Sequence, residues 1–131
     1  MRLTKTEFPE GTPIDSYGPG FFRIGGQVYH GPVIARPGAV LPWGGTEDTG
    51  PLLALAADID VLFLGMGASI AHAPADLRCA LDAAGVAVEV MSTPAAARTY
   101  NVLLSEGRRI AAALVPVGGQ PPQAGKSNEL M

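Results

Sequence analysis

Between Phe21 and Trp43 the β-forming residues come in runs of about four, each closed by glycine or proline. "FFRI" and "QVYH" flank Gly25-Gly26. Both glycines accept a positive φ, so the pair predicts a two-residue hairpin. "PVIARPGAVLPW" is a further extended stretch, interrupted by Pro37-Gly38 and closed by Pro42. Each proline removes a ladder donor, which predicts an edge strand or a bend there. Residues 1–16 alternate poorly and carry Pro9, Gly11 and Pro13. They read as an irregular lead-in with a strand near Ile14 to Tyr17.

From residue 50 the pattern lengthens. "TGPLLALAADI" predicts a short helix with Pro51 at its first position. "DVLFLGMG" is a continuous apolar run of strand length, as expected of a strand covered on both faces. "APADLRCALDAAG" predicts a helix with Pro74 near its start and Gly85 as terminator. "VAVEVM" is a second strand. "TPAAARTYNVLLSEG" is the clearest helix, read as capped by Thr93, with Pro94 first and Gly107 at its end. "RRIAAALVPV" is the last strand, and the tail "GGQPPQAGKSNELM" is polar, Gly/Pro-rich and expected to be disordered. Three apolar strands joined by two helices predict a parallel β-α-β-α-β unit. The expectation is a single α/β domain over 1–117, with a central mixed sheet and an added N-terminal β-hairpin layer, followed by a tail over 118–131. The β-rich half either extends the sheet or folds over one face.

Composition narrows the function. The chain has 131 residues, 47 % hydrophobic and 16 % charged, with a net charge of −3. Nucleic acid is not an expected partner, because phosphate backbones need a basic field and the only basic doublet is Arg108-Arg109. One cysteine, Cys79, excludes an intrachain disulfide and fits a reducing compartment. "MRLTKTEFPEG" lacks the apolar core of a signal peptide. No apolar run approaches the roughly 18–20 residues of a membrane span. A cytoplasmic protein that is not integral to a membrane is the expectation, and a homo-oligomer is left open.

The block from Met91 to Val115, with its Thr93, Tyr100-Asn101 and Glu106-Gly107-Arg108 landmarks, resembles the Mth938-like family, domain of unknown function 498, as does "DVLFLGMG" before it. The likeness runs from about Tyr17 to Val117. That family includes the mitochondrial complex I assembly factor 3 proteins. The resemblance implies a compact α/β domain and protein partners such as respiratory-complex subunits or another assembly factor. Family members usually read Gly-Thr-Gly where this chain has Gly65-Met66-Gly67, so a hydroxyl that could touch a ligand is missing.

The residues themselves offer two candidate sites. Gly65 and Gly67 sit where a strand passes into a helix, with Ser69 following, and backbone amides at such a turn bind anions. The parallel unit brings Ser92-Thr93 alongside, because both loops leave the same edge of the sheet. Ile70 stands where a dinucleotide fingerprint needs its third glycine, and no Gly-Lys-Ser/Thr follows. The alternative is that the glycines only permit a tight turn and Thr93 only caps a helix. The second candidate is a partner surface. Ala96, Tyr100, Leu103 and Leu104 share one face of the last helix, so Arg98 and the apolar Val102 fall off the packed stripe, with Asn101 to one side.

The other chemistry-bearing residues form no complete set. Cys79 lies opposite Leu77, Leu81 and Ala84, with no His or Lys beside it on the helix to serve as its base. His30 and His72 lack metal-ligand spacing, so neither a metal nor a cofactor is expected. Asp58 and Asp60 fall at the sheet's opposite edge from the glycine loop and read as solvated. Trp43 either plugs the core or stands at a cleft mouth. A non-enzymatic interaction module is the leading expectation, and a small-molecule or anion-binding protein at Gly65, Gly67, Ser69 and Thr93 the alternative.

Overall fold

The computed structural model describes residues 6–7, 11–68 and 72–118. The strands in chain order are β1 (Thr6–Glu7), β2 (Ile14–Gly18), β3 (Phe21–Ile24), β4 (Gln27–His30), β5 (Val33–Arg36) and β6 (Ala39–Pro42). There follow α1 (Gly50–Ala54), β7 (Val61–Gly65), α2 (Ala75–Ala83), β8 (Ala87–Met91), α3 (Thr93–Leu104) and β9 (Ile110–Leu114). The fold is the mixed α/β domain expected. Of the anticipated tail, residues 119–131 lie outside the described residues.

The β-rich half does both things left open to it. β5 and β6 extend the main sheet, whose order is β1-β6-β5-β9-β7-β8, while β2-β3-β4 form a separate three-stranded sheet. β7 pairs in parallel with β8 and with β9, and β5 joins β9 antiparallel. The turn between β3 and β4 is the Gly25-Gly26 hairpin, with φ of 62° and 83°. Only glycine takes two successive positive φ values at no steric cost. Pro37-Gly38 likewise turns β5 into β6.

Alternation along the central strands builds two cores, one on each face of the main sheet. Leu62 and Leu64 of β7 and Ala111 and Ala113 of β9 meet Leu52 of α1 and Leu77 and Leu81 of α2. Trp43 belongs to this core, 5 % exposed, and its Nε1 donates to the Asp48 carbonyl at 2.9 Å. On the other face Phe63, Ile110, Ala112 and Leu114 pack against Ala96, Ala97, Tyr100 and Leu104 of α3. Ile14, Phe22 and Ile24 of the small sheet close the same core. The small sheet and α3 therefore share one face of the main sheet, side by side. The alanines of β9 let both layers approach a strand that is buried along its whole length.

Candidate functional site

The glycine loop and the start of α3 do meet, as the parallel pairing requires. Gly65 ends β7 opposite Met91 on β8 and Leu114 on β9. Two residues on, the Gly67 N–H donates to Thr93 Oγ1 at 2.9 Å, and the Thr93 N–H donates back to the Gly67 carbonyl at 2.7 Å. The Thr93 hydroxyl in turn donates to the Val115 carbonyl at 2.6 Å. Thr93 is fully buried, so these bonds join the exits of β7, β8 and β9 without water between them.

Thr93 is therefore not the cap that its position suggests. The capping residue is Ser92, whose Oγ accepts from the Ala95 N–H at 3.4 Å. Gly65 leaves no room either. A Cβ there would stand 2.9 Å from the Thr93 Cα, the Thr93 Oγ1 and the Leu114 Cδ2. Gly67 has φ of +103°, a conformation L side chains rarely adopt. Of the four residues expected at this corner, Gly65, Gly67 and Thr93 converge, and the amide and hydroxyl groups named above are bonded to one another. Ser69 lies outside the described residues.

The second candidate lies on α3. Thr93, Ala96, Ala97, Tyr100 and Leu104 are its buried residues, which leaves Arg98 exposed and Val102 60 % exposed. Helical spacing stacks these two on one outward face, one turn apart. Beside them runs β2. Asn101 reaches across and pairs with the Ile14 backbone: its Oδ1 accepts the Ile14 N–H at 2.8 Å and its Nδ2 donates to the Ile14 carbonyl at 2.9 Å. Past that bridge, Ile14 to Tyr17 and Pro94, Ala97, Arg98 and Asn101 enclose a groove of about 250 Å³. Tyr17 at its rim is 40 % exposed. Neither Asn101's bridging role nor the involvement of β2 is legible in the sequence. The only signal was an amide placed between the packed and exposed faces of α3, within reach of whatever lies alongside.

Charge is arranged differently at the far end of the sheet. Arg36 pairs with Asp58 at 3.5 Å and Arg109 with Asp60 at 3.4 Å, so those carboxylates belong to surface ion pairs. Arg98 has no ion pair among the described residues. The Asp15 carboxylate, across the groove, accepts the Gly26 N–H at 3.2 Å. Cys79 is exposed, as its helical position implied, in a depression with Arg78, Asp82 and Val86 to Val88. Burial pushes the Tyr100 phenol well above its ordinary value, partly offset by the Arg36 guanidinium. Its hydroxyl finds no hydrogen-bond partner among the described residues. No group of three metal-ligating side chains occurs among them.

The chain is similar to several known proteins. Residues 14–115 match the model of a protein family of unknown function, DUF498/DUF598. An uncharacterised protein of Rhodobacter capsulatus is 54 % identical over 117 residues, covering 89 % of this chain and 94 % of that protein. The NADH dehydrogenase (ubiquinone) 1 alpha subcomplex assembly factor 3 of Danio rerio is 38 % identical over 123 residues, covering 88 % of this chain and 71 % of its own. Among solved structures, a Mth938-like domain from Bordetella pertussis superposes with a TM-score of 0.71 at 29 % identity, covering 91 % of this chain and 94 % of that one.

Proposed function

The chain belongs to the DUF498/DUF598 family, and on that premise we propose that it is a non-enzymatic interaction module that assists the assembly of a membrane respiratory complex of the complex I type. The observation that carries the reading is the likeness, over most of this chain, to a protein named as a complex I assembly factor. Assembly factors work by holding protein partners. The exposed pair Arg98 and Val102, next to a groove and off the packed stripe of α3, is the surface we assign to that task. An exposed apolar side chain beside a cation with no ion pair among the described residues suits the polar rim and apolar centre of a transient interface. No described helix is long and apolar enough to cross a membrane. We place the protein in the cytoplasm, where it would meet the water-exposed parts of such a complex.

The test is capture of the tagged chain from its own cells in mild detergent, followed by identification of what it retains. Respiratory-complex subunits recovered with the wild type, and lost with the Arg98→Glu/Val102→Asp double variant, support the reading. A preparation free of such subunits overturns it. Ligands that shift the Gly65, Gly67 and Thr93 amides would then favour the corner of the sheet instead.

A further inference from the structure

β8 is the last strand of the main sheet and pairs only with β7. The parallel register fixes which of its backbone groups face inward. The Ala87 N–H donates to the Asp60 carbonyl at 3.1 Å, and the Met91 carbonyl accepts from the Met66 N–H at 2.9 Å. Val88 stands opposite Leu62 and Val90 opposite Leu64, so Ala87, Glu89 and Met91 are the residues that bond to β7. The N–H and C=O groups of Val88 and Val90 therefore point out of the sheet edge, with no partner among the described residues. An edge of this kind is a template for a further strand. The side chains of Val86, Val88 and Val90 pack toward α2, while Ala87 and Glu89 are exposed on the alternate positions. Between this edge and α2 lies a depression of about 410 Å³ that includes Arg78 and Asp82. These two sit one turn apart on α2, both exposed, and neither has an ion pair among the described residues.

We propose that a second copy of this chain covers the edge, with β8 of the two copies paired antiparallel about a two-fold axis at Val88. The run Val86-Ala87-Val88-Glu89-Val90 has its valines placed symmetrically about Val88, so the strand matches itself when reversed. Val88 exchanges both backbone bonds with Val88 of the other copy, and each Val90 N–H meets the other copy's Val86 carbonyl. The Val86 N–H needs no new partner, because it already donates to the Leu81 carbonyl at 3.0 Å. The valines then form one continuous row on the α2 face. Charge selects the register. Centring the pair on Glu89 would set two carboxylates directly opposite, which is destabilising, whereas centring it on Val88 sets Glu89 opposite Ala87. Charge also selects the occupant. A two-fold normal to the sheet runs α2 antiparallel to its copy on one face, so Arg78 of each faces Asp82 of the other. α3 packs on the opposite face, and both Arg98–Val102 surfaces stay open on one side of the joined sheet. This goes beyond the proposed function and does not depend on it.

The test is light scattering of the full chain over a dilution series, with hydrogen exchange read at each end of it. The expected result is a monomer–dimer equilibrium in which the Val88 and Val90 amides exchange slowly in the dimer and fast in the monomer. Ala87 is exposed and outside both cores, so charges placed there read the interface rather than the fold. Ala87→Glu sets a carboxylate opposite Glu89 twice in each dimer and should weaken dimerisation about tenfold. Ala87→Lys sets an ammonium opposite the same carboxylates and should tighten it. Both variants should unfold at the wild-type midpoint. A chain that stays monomeric at every concentration it tolerates overturns the proposal. So does a dimer indifferent to both charges at Ala87, which would be built on another surface. Slow exchange of the Val88 and Val90 amides in the monomer also overturns it, because the edge would then be filled from within the chain.

Discussion

Asn101 and Ile14 are 87 positions apart, yet one side-chain amide satisfies both backbone groups of the other residue. That bridge fastens the small sheet to α3 at the first residue of β2. Replacing Asn101 with alanine leaves a partly buried N–H and C=O unpaired. The expected cost is roughly 1–2 kcal/mol, the usual penalty for an orphaned backbone pair. Urea unfolding followed by circular dichroism should show a lower midpoint with an unchanged slope.

Thr93→Val keeps the shape of the side chain and removes its hydroxyl. The buried Gly67 N–H and the Val115 carbonyl both lose a partner. A loss of about 1–3 kcal/mol follows, whereas Thr93→Ser, which retains the oxygen, should lose less. Equilibrium unfolding of the two variants side by side decides between a hydroxyl that holds the corner and a methyl that merely fills it.

Gly65→Ala tests the same corner by crowding. Its new Cβ would lie 2.9 Å from the Leu114 Cδ2 and from the Thr93 Cα. Overpacking of this kind costs about 1–3 kcal/mol. Adding Leu114→Ala relieves one contact but not the other, because the Thr93 Cα is backbone. The double variant should therefore remain below the Leu114→Ala single variant in thermal stability.

Val102→Asp and Arg98→Glu change only exposed side chains. Their unfolding free energies should stay within about 0.5 kcal/mol of wild type. A larger loss would show that the face is packed rather than presented.

Tyr100 supplies a pH dependence. Its folded pKa is raised, so its contribution to stability is complete below the unfolded phenol value of about 10. Above that pH the unfolded chain ionises while the folded one stays protonated, and stability falls as pH rises. Tyr100→Phe should flatten this decline in chemical denaturation measured between neutral and alkaline pH. Near neutrality the variant should be equal to wild type or slightly more stable, since the hydroxyl it removes is buried without a described partner.

Local pattern made the strands and helices legible because each carries its own punctuation. Gly25-Gly26 turns a hairpin, and Pro94 and Gly107 bracket α3. The continuous apolar run in "DVLFLGMG" marked a doubly covered strand, "RRIAAALVPV" marked the last strand, and helical spacing placed Arg98, Val102 and Cys79 outward. What local pattern does not carry is partnership at long range. Whether β2 joins the main sheet or a second one depends on packing over Ile14, Phe22 and Ile24, not on β2's own residues. The same holds for Thr93: a threonine before Pro94 reads as a cap, and only the arrival of Gly67 and Val115 beside it turns its hydroxyl inward. Ser92, next to it, is just as good a cap and takes the role.

The Thr93 junction also has a temporal side. Its hydroxyl joins residues 26 positions before it and 22 after it, one from each flanking strand exit. The bond to Val115 cannot form in a fragment that stops short of β9. The corner is thus completed only when the last strand docks, and contacts of such separation form late because loop closure must precede them. A chain still emerging during synthesis would leave the Thr93 hydroxyl without its Val115 acceptor until its final strand is free to pair. The Thr93–Val115 bond, which needs the last strand in place, becomes a natural clock for completion of the fold.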